Sequence, residues 1–105
     1  MSEVRLRVQI HCLQPNWVEH ENSRYRLYVN DDLITERTWI WPVNTYIEED
    51  LLVEVTERES HIVRLETILD NPRSLTQFGL QNFYVNGWPK PHYGGDRTQL
   101  SFMLG

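Results

Sequence analysis

From Val4 to Cys12 the chain alternates without a break: Val4, Leu6, Val8, Ile10 and Cys12 are apolar, and Arg5, Arg7, Gln9 and His11 are polar. A two-residue period matches the pleat of a β-strand and mismatches the turn of a helix. The segment therefore predicts a strand with one face on a core and the other in water. Such a strand needs neighbours along its edges and a second layer against its oily face.

Alternation returns several times. Residues 25–29 resume it, Asn30-Asp31-Asp32 signals a turn because short Asx side chains tolerate positive φ, and residues 33–41 predict the returning strand of a hairpin. Trp41-Pro42-Val43-Asn44 ends that strand, since proline cannot donate to a ladder. Tyr46 to Asp50 leads into a strand over 51–55, and a polar turn over 56–60 joins it to 61–68 as a second expected hairpin. Residues 69–77 read as a crossover loop with room for one helical turn, and 78–85 as a strand. The turn-rich stretch 86–95 reads as a loop, and 98–104 closes the chain with Leu100, Phe102 and Leu104 on one face. Gln14-Pro15-Asn16 breaks the first strand and leaves Trp17 and Val18 in a loop over a sandwich edge.

About seven strands, with no amphipathic helix and no repeat unit, predict an all-β, antiparallel β-sandwich, of either jelly-roll or immunoglobulin-like topology. At 105 residues the chain, 1–105, makes one such domain. Apolar residues at 40% and twelve aromatic side chains (four Trp, five Tyr, three Phe) exclude a disordered chain. Cys12, the single cysteine, reads as a core side chain and leaves no partner for an internal disulfide. The start of the sequence shows no apolar signal core, and no stretch reaches the length of a membrane span, so synthesis in a cytoplasm is expected.

A net charge of −5 argues against nucleic-acid wrapping, which needs surplus Lys and Arg. Arg5, Arg7, Arg24, Arg26 and Arg37 read as outward positions on strands. The histidines His11, His20, His61 and His92 show no metal-ligand spacing, and no nucleophile elbow, phosphate loop or His-Glu-x-x-His pattern occurs. The chain is accordingly expected to be no enzyme and to need no cofactor. Asp31-Asp32 and Glu48-Glu49-Asp50 offer oxygen ligands for Ca²⁺ if the fold joins them, but turn chemistry and a solvated strand entrance account for them without a metal. The aromatic residues say more. Trp39 and Trp41 share a strand face with Arg37 while Thr38 and Ile40 point the other way, so this strand, with large apolar groups on both faces, is either deeply buried or has one face covered, by a subunit or a ligand. Trp88 and Tyr93 lie in the Pro/Gly-rich loop, where rigid turns present flat rings to a sugar or a protein.

The stretch from Leu27 to Trp41, with Tyr46-Ile-Glu-Glu49 and His61-Ile-Val-Arg-Leu65, resembles small uncharacterised proteins of tailed bacteriophages, notably those infecting marine cyanobacteria. That resemblance implies a phage-encoded protein made in the host cytoplasm, such as a capsid decoration or tail-associated component of the virion. It brings no catalytic residues. The Tyr28-Val-Asn-Asp31 entry also resembles carbohydrate-binding sandwiches. Three functions follow as expectations: a structural protein acting by self-assembly or protein contact, a carbohydrate-binding module, and a small protein that binds a host factor. Membrane and nucleic acid are not expected partners.

Overall fold

The computed structural model describes residues 2–14, 23–42, 44–55, 60–69, 73–90 and 98–103. Its first strand, β1 (Ser2–Leu13), keeps the predicted phase: Val4, Leu6, Val8, Ile10 and Cys12 are all buried. Both edges of β1 are occupied. The strand β4 (Thr45–Val55) runs antiparallel on one side, and β6 (Gln77–Val85) runs antiparallel on the other. A short strand, β7 (Trp88–Lys90), completes this first sheet in the order β4-β1-β6-β7. The second sheet has the order β3-β2-β5-β8, from β2 (Arg24–Val29), β3 (Asp32–Thr38), β5 (His61–Ile68) and β8 (Gln99–Phe102). The expected antiparallel β-sandwich is thus observed, with eight strands among the described residues where about seven were expected.

The extra strand is β7. Asn86 (φ 50°) and Gly87 (φ 83°) form a two-residue turn with both residues in the left-handed region, the conformation that joins strands without splaying them. It folds Trp88 back onto Val85, where a loop was expected. Asn30 (φ 51°) and Asp31 (φ 73°) do the same between β2 and β3, as the turn signal predicted.

The expected second hairpin does not form. β4 and β5 follow one another in sequence but lie in different sheets, because β4 pairs with β1 and β5 with β2. Consecutive strands β1 and β2 are thereby interlocked with β4 and β5. This is the relation that strands B and C bear to E and F in immunoglobulin-like sandwiches, and the β6–β7 hairpin lies where strand A would pair with B. The returning strand of the first hairpin also ends earlier than expected, at Thr38 instead of Trp41. No helical turn occurs among the described residues of the β5–β6 connection. Trp17, Val18, Tyr93 and Leu104 lie outside the described residues.

Two bulges keep oily side chains inward where strict alternation would turn them out. In β6, Phe78 and Leu80 are buried at even positions, Asn82 takes φ 49°, and Phe83 and Val85 are buried at odd positions. The register against β1 slips by one residue at that point, between Arg7 and Gln9. In β3 the slip lies between the partners of Leu27 and Tyr28, so Leu33 points to solvent while Ile34 packs against the core.

The core lies between the sheets. Tyr25, Leu27 and Val29 of β2 and Val63 and Leu65 of β5 face the β1 row, and Phe83 and Phe102 meet edge to face at 5.8 Å. Leu27 is wholly buried. Leu27→Ala is expected to cost about 2–5 kcal/mol, as buried leucine truncations do, seen as a lower urea midpoint at unchanged slope. Leu33→Ala, on the outward side of β3, should stay within about 0.5 kcal/mol of the parent. Equal effects would mean that the β3 bulge is misplaced.

Candidate functional site

The polar run Glu48-Glu49-Asp50 falls in the middle of β4, not at a strand entrance, and the pleat divides it. Glu48 and Asp50 point outward, whereas Glu49 stands opposite Val8 and is only 3% exposed. A carboxylate buried this far needs charged and hydrogen-bonding partners. Glu49 has two. The Tyr25 hydroxyl and the Arg37 Nε both donate to its Oε1.

This arrangement refines the reading of Arg37 as an outward side chain: it stays 46% exposed but reaches the buried Glu49. Arg37 pairs in register with buried Tyr25, so it leaves β3 on the inward side and reaches across to the other sheet. β3 and β4 are the edge strands of their sheets on one side of the sandwich. Each aims a charged group inward, and the two charges meet. Inward charges on edge strands also discourage pairing with strands of other molecules. The remaining acids of the run pair as well: Arg5 forks onto Asp50 at 2.9 and 2.8 Å, and Arg7 lies 3.7 Å from Glu48. The acidic residues considered for calcium therefore do not converge, and no group of three or more His, Cys, Asp or Glu poised for a metal occurs among the described residues.

Trp39 and Trp41 lie at one end of this edge. The Trp39 N–H donates to the Ser23 carbonyl at 2.8 Å, which extends the β2–β3 ladder one step past Thr38, and its indole Nε1 donates to the Pro42 carbonyl at 3.1 Å. Trp39 is half-buried, 5.6 Å from Phe78 between ring centroids, and Phe78 is 5.3 Å from Tyr25. Trp41 meets Trp39 edge-on at 5.2 Å on the outside. An aromatic chain thus runs from solvent at Trp41 to the Tyr25–Glu49–Arg37 group. Of the pair, Trp39 is the one that packs on the core.

The same end of the sandwich gathers exposed apolar side chains. Leu13 closes β1, Ile40 and Trp41 follow β3, Tyr46 opens β4 on its outward side, and Leu75 precedes β6. Ile40 is 79% exposed and Leu75 59%. Local structure forces these positions. Ser74 and Thr76 turn inward and hydrogen-bond each other at 2.8 Å, which leaves Leu75 outward. Asn44, at φ 58°, accepts from the Gln14 N–H at 3.1 Å and so ties the β3–β4 connection to the end of β1. From Thr38 to Ile47 no residue carries a charge. A concavity of about 430 Å³ opens at this end among His11, Leu13, Thr67, Gln77, Gly79 and Thr98, with Phe78 also in its wall. Neither the acidic face nor any motif signalled this concavity, because its residues come from segments distant in sequence.

Charged rows cover the described sheet faces. Across the outward face of the second sheet Glu36, Arg26, Glu66 and Arg64 form a ladder with contacts of 2.6, 3.6 and 3.7 Å, and the Arg64 guanidinium lies 4.3 Å from the Tyr28 ring centroid. Hydrogen bonds from Arg26 and Arg5 hold the carboxyls of Glu36 and Asp50 below the usual range. Trp88 sits apart from Trp39 and Trp41, at the far end of the sandwich, and is 72% exposed. The other exposed apolar residues, Leu33, Leu52, Ile62 and Met103, are dispersed over separate strands or their ends. No helix is long and apolar enough to cross a membrane among the described residues.

Burial, and then the hydrogen bond to Glu49, push the Tyr25 phenol well above its ordinary value. The native state keeps that proton where an unfolded chain, with a phenol near pKa 10, releases it. The stability this group supplies is therefore present below about pH 10 and lost as pH rises beyond it. Tyr25→Phe should cost about 1.5 kcal/mol at neutral pH, from the lost bond to a carboxylate, and should flatten the alkaline decline in urea-unfolding free energy. Parallel pH curves for the two proteins would show that Tyr25 is not held this way.

Set against family models, curated proteins and solved structures, the chain gives no significant match to any of them.

Proposed function

We propose that this protein is a non-enzymatic binding module whose working surface is the apolar end of the sandwich, where Trp41, Ile40, Tyr46, Leu13 and Leu75 contact another polypeptide. The observation that carries this reading is the gathering of large exposed apolar groups at one end of the sandwich, on a molecule whose sheet faces carry charge ladders. Exposed apolar groups cost free energy unless something covers them, and interface centres are depleted in charge and rich in aromatic residues. The uncharged stretch 38–47 has that composition.

The core underneath supports the role. Trp41 rests on Trp39, which rests on Phe78, so the exposed ring is backed by ordered side chains and loses little freedom when a partner arrives. An aromatic anchor of this kind, once a partner covers it, supplies a large share of the energy of a contact. The setting we favour is assembly into a larger particle, with itself or with other virion proteins, which is what the resemblance to tailed-phage proteins implies. Binding of a host factor would use the same surface.

Ile40→Asp combined with Trp41→Ser tests the surface without touching the core, and should leave thermal unfolding nearly unchanged. Mass spectrometry of purified particles is expected to find the parent chain in the virion and to miss the double variant. A parent chain that is absent from particles and monomeric in solution would remove the assembly reading. Late transcription during infection is expected for a virion component, and early transcription would favour the host-factor role.

A further inference from the structure

A second concavity, of about 450 Å³, lies on the outward face of the first sheet, toward the end opposite the apolar one. Arg5 and Arg7 of β1, Asp50 of β4, Tyr84 of β6 and the turn residues Asn86 and Gly87 form its walls. Register explains the grouping. Arg7 stands opposite Asp50 on one side and Tyr84 on the other, so three strands present a cation, a carboxylate and a ring in one row.

The site is pre-built. Arg5 holds Asp50 through two nearly parallel bonds of 2.9 and 2.8 Å, a geometry that fixes both planes. The turn is clamped to the same residue: the Arg5 N–H donates to Asn86 Oδ1 at 2.9 Å, and the Asn86 N–H donates to the Arg5 carbonyl at 2.8 Å. Gly87 adds no side chain, and the space a Cβ would occupy has no heavy atom within 4 Å.

Charge decides what such a surface accepts. The cations are already matched by Asp50 and by Glu48, which lies 3.7 Å from Arg7. A phosphate or carboxylate would have to sit beside two acids and compete with them for the guanidiniums. An apolar ligand would strip water from charged groups and return nothing. A hydroxyl both donates and accepts, so a neutral polyhydroxylated molecule satisfies guanidinium and carboxylate together. Tyr84 adds a flat, half-buried ring against which the C–H face of a sugar can lie.

We infer that the outward face of the first sheet is a binding site for a neutral carbohydrate, with the sugar ring against Tyr84 and its hydroxyls on Arg7 and the Arg5–Asp50 pair. The site is independent of the apolar end and does not use Trp88, which pairs with inward-facing Val85 and so leaves β7 on the other side of the sheet.

A glycan array bearing neutral oligosaccharides beside sialylated and sulfated ones tests this with the full chain. Binding to at least one neutral oligosaccharide is expected, with little sensitivity to added salt. Tyr84→Ala and Arg7→Ala should each weaken it by about tenfold or more, while Trp88→Ala and Trp41→Ser leave it unchanged. Thermal unfolding of each variant identifies any that fails to fold. If Tyr84→Ala does, Tyr84→Phe, which keeps the ring, should still bind, and Arg7→Ala carries the test. An array blank for neutral glycans overturns the inference, and so does binding confined to the acidic glycans. Binding that survives both Tyr84→Ala and Arg7→Ala overturns it equally.

Discussion

Everything in this molecule is arranged around the inward row of β1. Val4, Leu6, Val8, Ile10 and Cys12 are buried on one face while both edges of the strand are hydrogen-bonded, to β4 and to β6. A strand in that position has its backbone groups paired and its apolar area removed from water, at about 25 cal/mol for each Å². The second sheet is what covers that face, through Tyr25, Leu27, Val29, Val63 and Leu65. The interlock of β1 and β2 with β4 and β5 then follows, since β1 takes β4 and β2 takes β5 as they arrive.

A sandwich built this way has open sides, and one side is closed by charge. Glu49 and Arg37 come from the edge strands of opposite sheets and meet over the Tyr25 hydroxyl. Replacing such a group with packed apolar side chains can leave a protein equally stable, so its value lies as much in specificity as in energy. Here an inward acid on a long edge strand opposes register slips and strand addition from outside. The contact surface we assign is consequently an end of the sandwich, reached through side chains, and not an edge extended by a further strand.

The two candidate surfaces differ in chemistry because they differ in how the chain reaches them. The apolar end is made of strand termini and connections, where Ser74 and Thr76 take the inward positions and leave Leu75 outward, and where Ile40 and Trp41 stay exposed beyond the core-packed Trp39. The sheet face is made of regular outward positions, where cross-strand pairing sets cations against carboxylates in rows. One surface offers burial and the other offers oriented hydrogen bonds. Protein contact and carbohydrate recognition draw on those two resources respectively.

Period-two alternation was enough to place the core residues of β1, β2, β5 and β8, and Asx chemistry to place the Asn30-Asp31 turn, because strand side-chain direction and turn backbone preference are both local properties. The same local rule separated Glu49 from Glu48 and Asp50 in principle, but a lone acid amid acids reads as solvated until a partner is known. Which strands pair was beyond it. β4 and β5 look like a hairpin in the sequence, and only the competition for the edges of β1 and β2 sends them to different sheets. The inward turn of Arg37, the gathering of Leu13, Trp41, Tyr46 and Leu75, and the row of Arg7, Asp50 and Tyr84 depend on that choice, since each joins residues far apart in the chain. Local pattern determined which way side chains face, and tertiary pairing decided what they face.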